Sequence, residues 1–156
     1  MKGKMFGKRT FDILLVDDDP DELLIFESTL NELAIDHRIS YKSNGVEALE
    51  YMKKLDQLPD VVFLDINMPY MNGIECLKAL RKDPRFGNIC IVIYSTSCNE
   101  EEIEETFVNG ANIFMKKTGD MEQFRTNIKK LLSFNLNCAQ SYIRRETFMF
   151  TVGTYA

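Results

Sequence analysis

Five short strand-like runs, each followed by a segment whose apolar residues recur at helical spacing, constrain this chain more than any other feature. Residues 12–16, 60–64, 89–95 and 112–117 read as near-continuous apolar strands, and residues 38–43 as a shorter alternating one nearer a sheet edge. Between them, Leu23, Phe26, Leu30 and Leu33 predict a helix over 20–34, with Asp19 as its N-cap and Pro20 at its first position. Asn44-Gly45 is a turn signal, and Val46, Leu49, Met52 and Leu55 mark a second helix, broken at Leu58-Pro59. A loop over 67–73 leads to a third helix carrying Ile74, Leu77 and Leu80, which stops at Asp83-Pro84. A fourth helix covers 100–109, its first turn acidic and its end closed by Gly110. Met121, Phe124, Ile128, Leu131 and Leu132 predict a long fifth. Strands that are apolar along their whole length are buried on both faces, which requires helices on both sides of a parallel sheet. The expected fold is α/β: a doubly wound, five-stranded parallel sheet with five helices.

The composition suits one compact domain: 156 residues, 45% hydrophobic and 28% charged. Residues 1–10 read as an N-terminal extension, 11–134 as the domain, and 135–156 as a tail too short for an output domain. The tail carries Phe148, Phe150 and Tyr155, and is expected to pack back on the domain or extend the last helix. No apolar run approaches the roughly 20 residues a membrane span needs, and the basic start is followed too soon by aspartates for a signal peptide. A cytoplasmic setting is expected. The four cysteines form no CxxC pair and read as small, reduced hydrophobes. The net charge of −5 argues against nucleic acid as a partner.

Ligands of open parallel sheets bind beyond the carboxyl ends of the strands. Those ends carry Asp17, Asp18 and Asp19 after the first strand, Asp65 and Asn67 after the third, Ser95-Thr96-Ser97 after the fourth, and Lys116-Lys117-Thr118 after the fifth. Adjacent carboxylates repel one another unless positive charge offsets them. Several acids with a loop carbonyl form a hard-oxygen set suited to Mg²⁺, with a lysine as the second counter-charge.

VDDD at 16–19, DINMPYMNG at 65–73, YSTS at 94–97 and the lysine at 117 together resemble the receiver domain of two-component response regulators, of the single-domain, chemotaxis-like type. The resemblance covers residues 11–134. It implies the flavodoxin-like (βα)5 fold, and Asp65 as phosphoryl acceptor from a histidine kinase or histidine phosphotransfer protein. It further implies that Asp17, Asp18, Asp65 and the backbone carbonyl of Asn67 hold Mg²⁺, Asp17 mainly through a water. Lys117 would contact the phosphoryl group, Ser95 would turn inward to hydrogen-bond it, and Phe114 would be the aromatic that rotates with that hydroxyl. The output is contact with a downstream protein, with a second copy of the chain as one candidate. Two departures stand out. Thr118 follows Lys117 where the family usually has Pro, and Thr96 occupies a position usually held by Ala or Gly. The doubled lysine leaves Lys116 as runner-up, although strand alternation would turn it away from the site.

The same chain carries residues with plainer roles. Asp19 is expected to cap a helix and stay off the metal, the 100–105 acids to form a solvated helix start, and His37 to lie at the surface. A phosphorylation-independent interaction module on the same fold is the alternative function. A phosphohydrolase of the haloacid-dehalogenase type ranks last, because its second carboxylate is missing from Asp65-Ile66-Asn67. The chain is therefore expected to be a switch and not an enzyme.

Overall fold

A computed structural model describes residues 9–97 and 99–133. The tail, Cys98, Cys138 and most of the N-terminal extension lie outside the described residues. The strands are β1 (Phe11–Val16), β2 (His37–Lys42), β3 (Val61–Leu64), β4 (Cys90–Ser95) and β5 (Ile113–Lys116). The helices are α1 (Asp21–Glu32), α2 (Gly45–Lys53), α3 (Gly73–Lys82), α4 (Glu100–Val108) and α5 (Met121–Ser133). All strand pairs are parallel, in the order β2-β1-β3-β4-β5. The doubly wound sheet is as expected, with β2 at an edge.

Strand alternation divides the interior into two layers. Ile13, Leu15, Val61, Phe63, Val92, Tyr94 and Met115 face α1 and α5. Leu14, Val16, Val62, Leu64, Ile91, Ile93 and Phe114 face α2 and α3, with Ile103 and Phe107 of α4 packed at their margin. Phe26 of α1 anchors the first layer, its ring edge-on to Phe63, Phe124 and Tyr94 at centroid distances of 4.8, 5.2 and 5.5 Å. Burying a side chain of this size contributes about 3 kcal/mol, and the edge-to-face geometry adds to it. Cys76 and Cys90 are buried and free, and burial pushes both thiols up to about 12, consistent with use as small hydrophobes.

Several boundaries differ from expectation. Asp21, one residue after Pro20, is the first residue of α1; Pro20 already has helical dihedrals, and Asp19 Oδ1 still accepts the Asp21 N–H at 3.0 Å. Asn44-Gly45 is a helix start and not a free turn, because the Asn44 side chain accepts the Glu47 N–H at 2.9 Å. Val46 and Met121, each 40% exposed, lie off the apolar faces assigned to them. The Asp83-Pro84 stop is itself a short 3₁₀ turn, Pro84–Phe86, capped by Asp83. His37 opens β2, with Nδ1 2.8 Å from the Ile35 carbonyl oxygen.

α1 ends in a Schellman motif. The Ala34 N–H donates to Asn31 and the Ile35 N–H to Leu30, each at 3.0 Å, and Ala34 adopts φ +57°. Gly110 closes α4 in the same region, at φ +96°. A Cβ there costs energy that glycine avoids. We expect Ala34→Gly to stabilise the fold by about 1 kcal/mol, read as a higher urea midpoint at unchanged slope. A lower midpoint would contradict the cap.

Candidate functional site

The chain leaves β1 toward β2 on one side and returns to β3 on the other, so the strand order reverses between β1 and β3. Asp17 and Asp65 follow these two strands, each continuing the ladder by one residue: the Asp17 N–H reaches the Lys42 carbonyl at 3.1 Å and the Asp65 N–H the Val16 carbonyl at 3.0 Å. Lys117 does the same for β5, its N–H donating to the Ser95 carbonyl at 2.9 Å. All three lie in the phase of the residues facing α1 and α5, which is why they meet across the rim.

Lys117 Nζ is 2.7 Å from Asp17 Oδ2, 3.6 Å from Asp65 Oδ2 and 3.6 Å from Glu22 Oε2. It also lies 5.3 Å from the centre of the Tyr94 ring. Lys116, one residue back, is exposed on the opposite phase. Asp17 is 1% exposed; its Oδ1 accepts the Asp19 N–H at 3.0 Å, and its carbonyl accepts the Tyr41 hydroxyl at 2.6 Å. Asp19 thus sits on the helix-capping side of the cluster.

Burial pushes the Asp65 carboxyl up to about 6, helped by the Asp17 charge, while Lys117 and the N–H groups of Ile66 and Asn67 pull it down. Burial raises Glu22 likewise, against the pull of Lys117. For Lys117, burial alone would lower the pKa, but the hydrogen bond to Asp17 and the three carboxylates outweigh it and hold the ammonium charged. Three carboxylates, Asp17, Asp65 and Glu22, therefore share one described ammonium, and Asp18 adds a fourth beside Asp17 and Asp65. One ligand oxygen from each of Asp17, Asp18 and Asp65 lies within 4.8 Å of the others. Uncompensated negative charge and hard oxygens converging on one point fit a divalent cation such as Mg²⁺.

Ser95 is fully buried at the end of β4 and its Oγ accepts the Ser97 N–H at 3.2 Å; the Ser97 hydroxyl donates to Glu102. Ser95 and Phe114 lie in the same strand phase, facing away from Lys117, and Phe114 is fully buried. Thr96 and Asn67 are exposed at the rim.

Some contributors went unrecognised in the sequence. Glu22 and Tyr41 reach the site from α1 and β2, and no local signal marks them. Asn72 and Glu75 form a capping box that starts α3, legible as the N-x-x-E spacing. Gly73 closes the loop: its N–H donates to the Ile66 carbonyl at 2.7 Å, and an added Cβ would stand 2.0 Å from the Asp65 carbonyl oxygen.

Gly73→Ala is therefore expected to destabilise the protein by about 3 kcal/mol or more in urea unfolding; a loss under about 0.5 kcal/mol would contradict this loop geometry. The folded protein holds the Asp65 proton more tightly than the unfolded chain, so its contribution to stability falls as pH rises from about 4 to about 6. After allowance for solvent screening at the rim, metal-free Asp65→Asn should be about 1–2 kcal/mol more stable than wild type at pH 7.5. That gain should vanish near pH 4, and a gain independent of pH would contradict the assignment.

The sequence model of the response regulator receiver domain matches residues 13–129. Chemotaxis protein CheY1 of Helicobacter pylori is 31% identical over 125 residues, covering 79% of this chain and 98% of its own. The nitrate/nitrite response regulator NarL of Escherichia coli K12 is 39% identical over 111 residues, which span 70% of this chain and 48% of NarL. Among solved structures, the phosphorylated cyanobacterial phytochrome response regulator RcpA superposes with a TM-score of 0.74 at 26% identity, covering 81% of this chain and 94% of that one. With its strand order, its rim of acids and these matches in agreement, the chain belongs to the response regulator receiver domain family, the phosphorylation-dependent switches of two-component signalling.

Proposed function

We propose that residues 11–134 form a receiver whose Asp65 carboxylate takes a phosphoryl group from a phosphohistidine of a sensor kinase or phosphotransfer protein. A carboxylate oxygen forms the new O–P bond as the N–P bond breaks, and the imidazole leaves. The observation that carries this reading is the meeting of Asp17, Asp65 and Lys117 at the switch point, with Lys117 Nζ 2.7 and 3.6 Å from the two acids. Asp17, Asp18, Asp65 and the Asn67 carbonyl are the groups that would hold Mg²⁺. When bound, it supplies positive charge to the phosphoryl oxygens.

Lys117 shifts from the resting carboxylates toward a phosphoryl oxygen and offsets its charge. Ser95 releases the Ser97 N–H and turns its hydroxyl toward the same group. Phe114, on the neighbouring strand and in the same phase, repacks into the space beside it. The result is a changed surface around α4 and β5 that a downstream protein, or a second copy of the chain, reads. Thr96 stands at the rim where a donor enters and sets the rate of transfer more than its outcome. This reading goes with a cytoplasmic setting, and no helix among the described residues is long and apolar enough to cross a membrane.

Intact mass after incubation with acetyl phosphate tests the reading. One Mg²⁺-dependent phosphoryl adduct is expected on the wild type and none on Asp65→Asn. No adduct, together with no response to beryllofluoride, would favour an interaction module that works without phosphorylation.

A further inference from the structure

The three acids around Lys117 are not equivalent. Asp17 and Asp65 belong to the cluster that fits a cation, whereas Glu22 does not. Glu22 comes from the first turn of α1, and its side chain is only 13% exposed. One oxygen, Oε2, stands 3.6 Å from Lys117 Nζ, too long for a good hydrogen bond. The other, Oε1, is buried and makes no hydrogen bond of good geometry among the described residues, the Tyr94 hydroxyl being the polar group beside the carboxylate. A buried carboxylate with a bare oxygen is costly, and such groups are rare unless they serve another state of the protein. The Tyr94 ring lies 5.3 Å from Nζ, so Lys117 has both an aromatic face and the Glu22 carboxylate within a short movement.

In the resting geometry Lys117 hydrogen-bonds Asp17 and lies near Asp65, the two groups a divalent cation also needs. Resting on the receiver reading above, we propose that Glu22 is a positioning residue for Lys117. As Asp17 and Asp65 turn to a divalent cation, the lysine transfers its close hydrogen bond from Asp17 to Glu22. Glu22 thereby lowers the cost of releasing Asp17, sets the cation affinity of the site, and keeps the ammonium beside Asp65 for the phosphoryl group.

The test is Mg²⁺ titration calorimetry on the full chain, comparing wild type, Glu22→Gln, Lys117→Met and the double variant. Exchange of one charge-assisted hydrogen bond for a neutral one predicts a rise in Mg²⁺ Kd of roughly tenfold for Glu22→Gln when Lys117 is present. In the Lys117→Met background the same substitution should change Kd by about twofold or less. A second readout needs no phosphoryl transfer: the ¹⁵N resonance of the Lys117 ammonium should shift during the titration of wild type and stay nearly constant in Glu22→Gln. Should Glu22→Gln fail to fold by circular dichroism, Glu22→Asp, which keeps the charge and loses the reach, carries the same expectations. Equal effects with and without Lys117, or no effect in either, would overturn the proposal. A wild type that binds no Mg²⁺ would overturn the receiver reading itself, whereas normal wild-type binding with an unchanged Glu22→Gln Kd would overturn only the role of Glu22.

Discussion

One ammonium among several carboxylates is the constraint around which the carboxyl end of the sheet is arranged. Lys117 hydrogen-bonds Asp17 and stands near Asp65 and Glu22, drawing together residues from β1, β3, β5 and α1. Without it, Asp17 at 1% exposure would have no paired cation among the described residues, a burial that proteins rarely retain. Even with it, the cluster keeps an excess of negative charge. That excess fits further positive charge, and together with burial, the larger cause, it raises the Asp65 carboxyl to about 6.

The sheet beneath supplies the precision. Parallel ladders place the three strand ends level with one another, and the two-residue period of a strand decides which face each side chain takes. Asp17, Asp65 and Lys117 share the phase that faces α1 and α5, while Ser95 and Phe114 share the other. The acid–lysine cluster and the hydroxyl–aromatic pair are thus separated by the sheet and meet only at its edge. Under the proposed function, a group added at Asp65 biases the α4 side through Ser95, a buried hydroxyl at the end of β4. The loops are held tightly. Gly73 sits where no side chain fits, Asn72 and Glu75 lock the start of α3, and the Tyr41 hydroxyl pins the carbonyl of Asp17.

Much of this was legible from residue order alone. Apolar runs buried on both sides have only a helix-covered parallel sheet available to them, and the sheet formed as expected. Acids at the ends of the first and third strands pointed to the rim, and alternation preferred Lys117 over Lys116. Element edges were less legible. Asn44 looked like a turn and proved to be a helix cap, and Asp83 ends α3 as expected while also capping the next 3₁₀ turn, because Asn and Asp satisfy backbone N–H groups in turns and at helix starts alike. Val46 and Met121 have helical spacing yet lie off the apolar face, since the first turn of a helix often projects beyond the layer it covers.

By itself, then, the sequence determined the fold class, the family and the acids, hydroxyl and lysine at the strand ends, because periodicity, caps and the DINMPYMNG string are all local in the chain. Only the tertiary structure decided which of those groups touch and which further residues join them. Glu22 lies 95 residues from Lys117 in sequence and Tyr41 lies 24 from Asp17, and nothing in their neighbours announces the contacts. Such pairings arise where α1 and β2 pack against the end of β1, a consequence of strand order and helix placement that no local pattern encodes. Contact, burial and the resulting shift in acidity belong to the assembled rim, because each depends on charges brought close by chain segments distant in sequence.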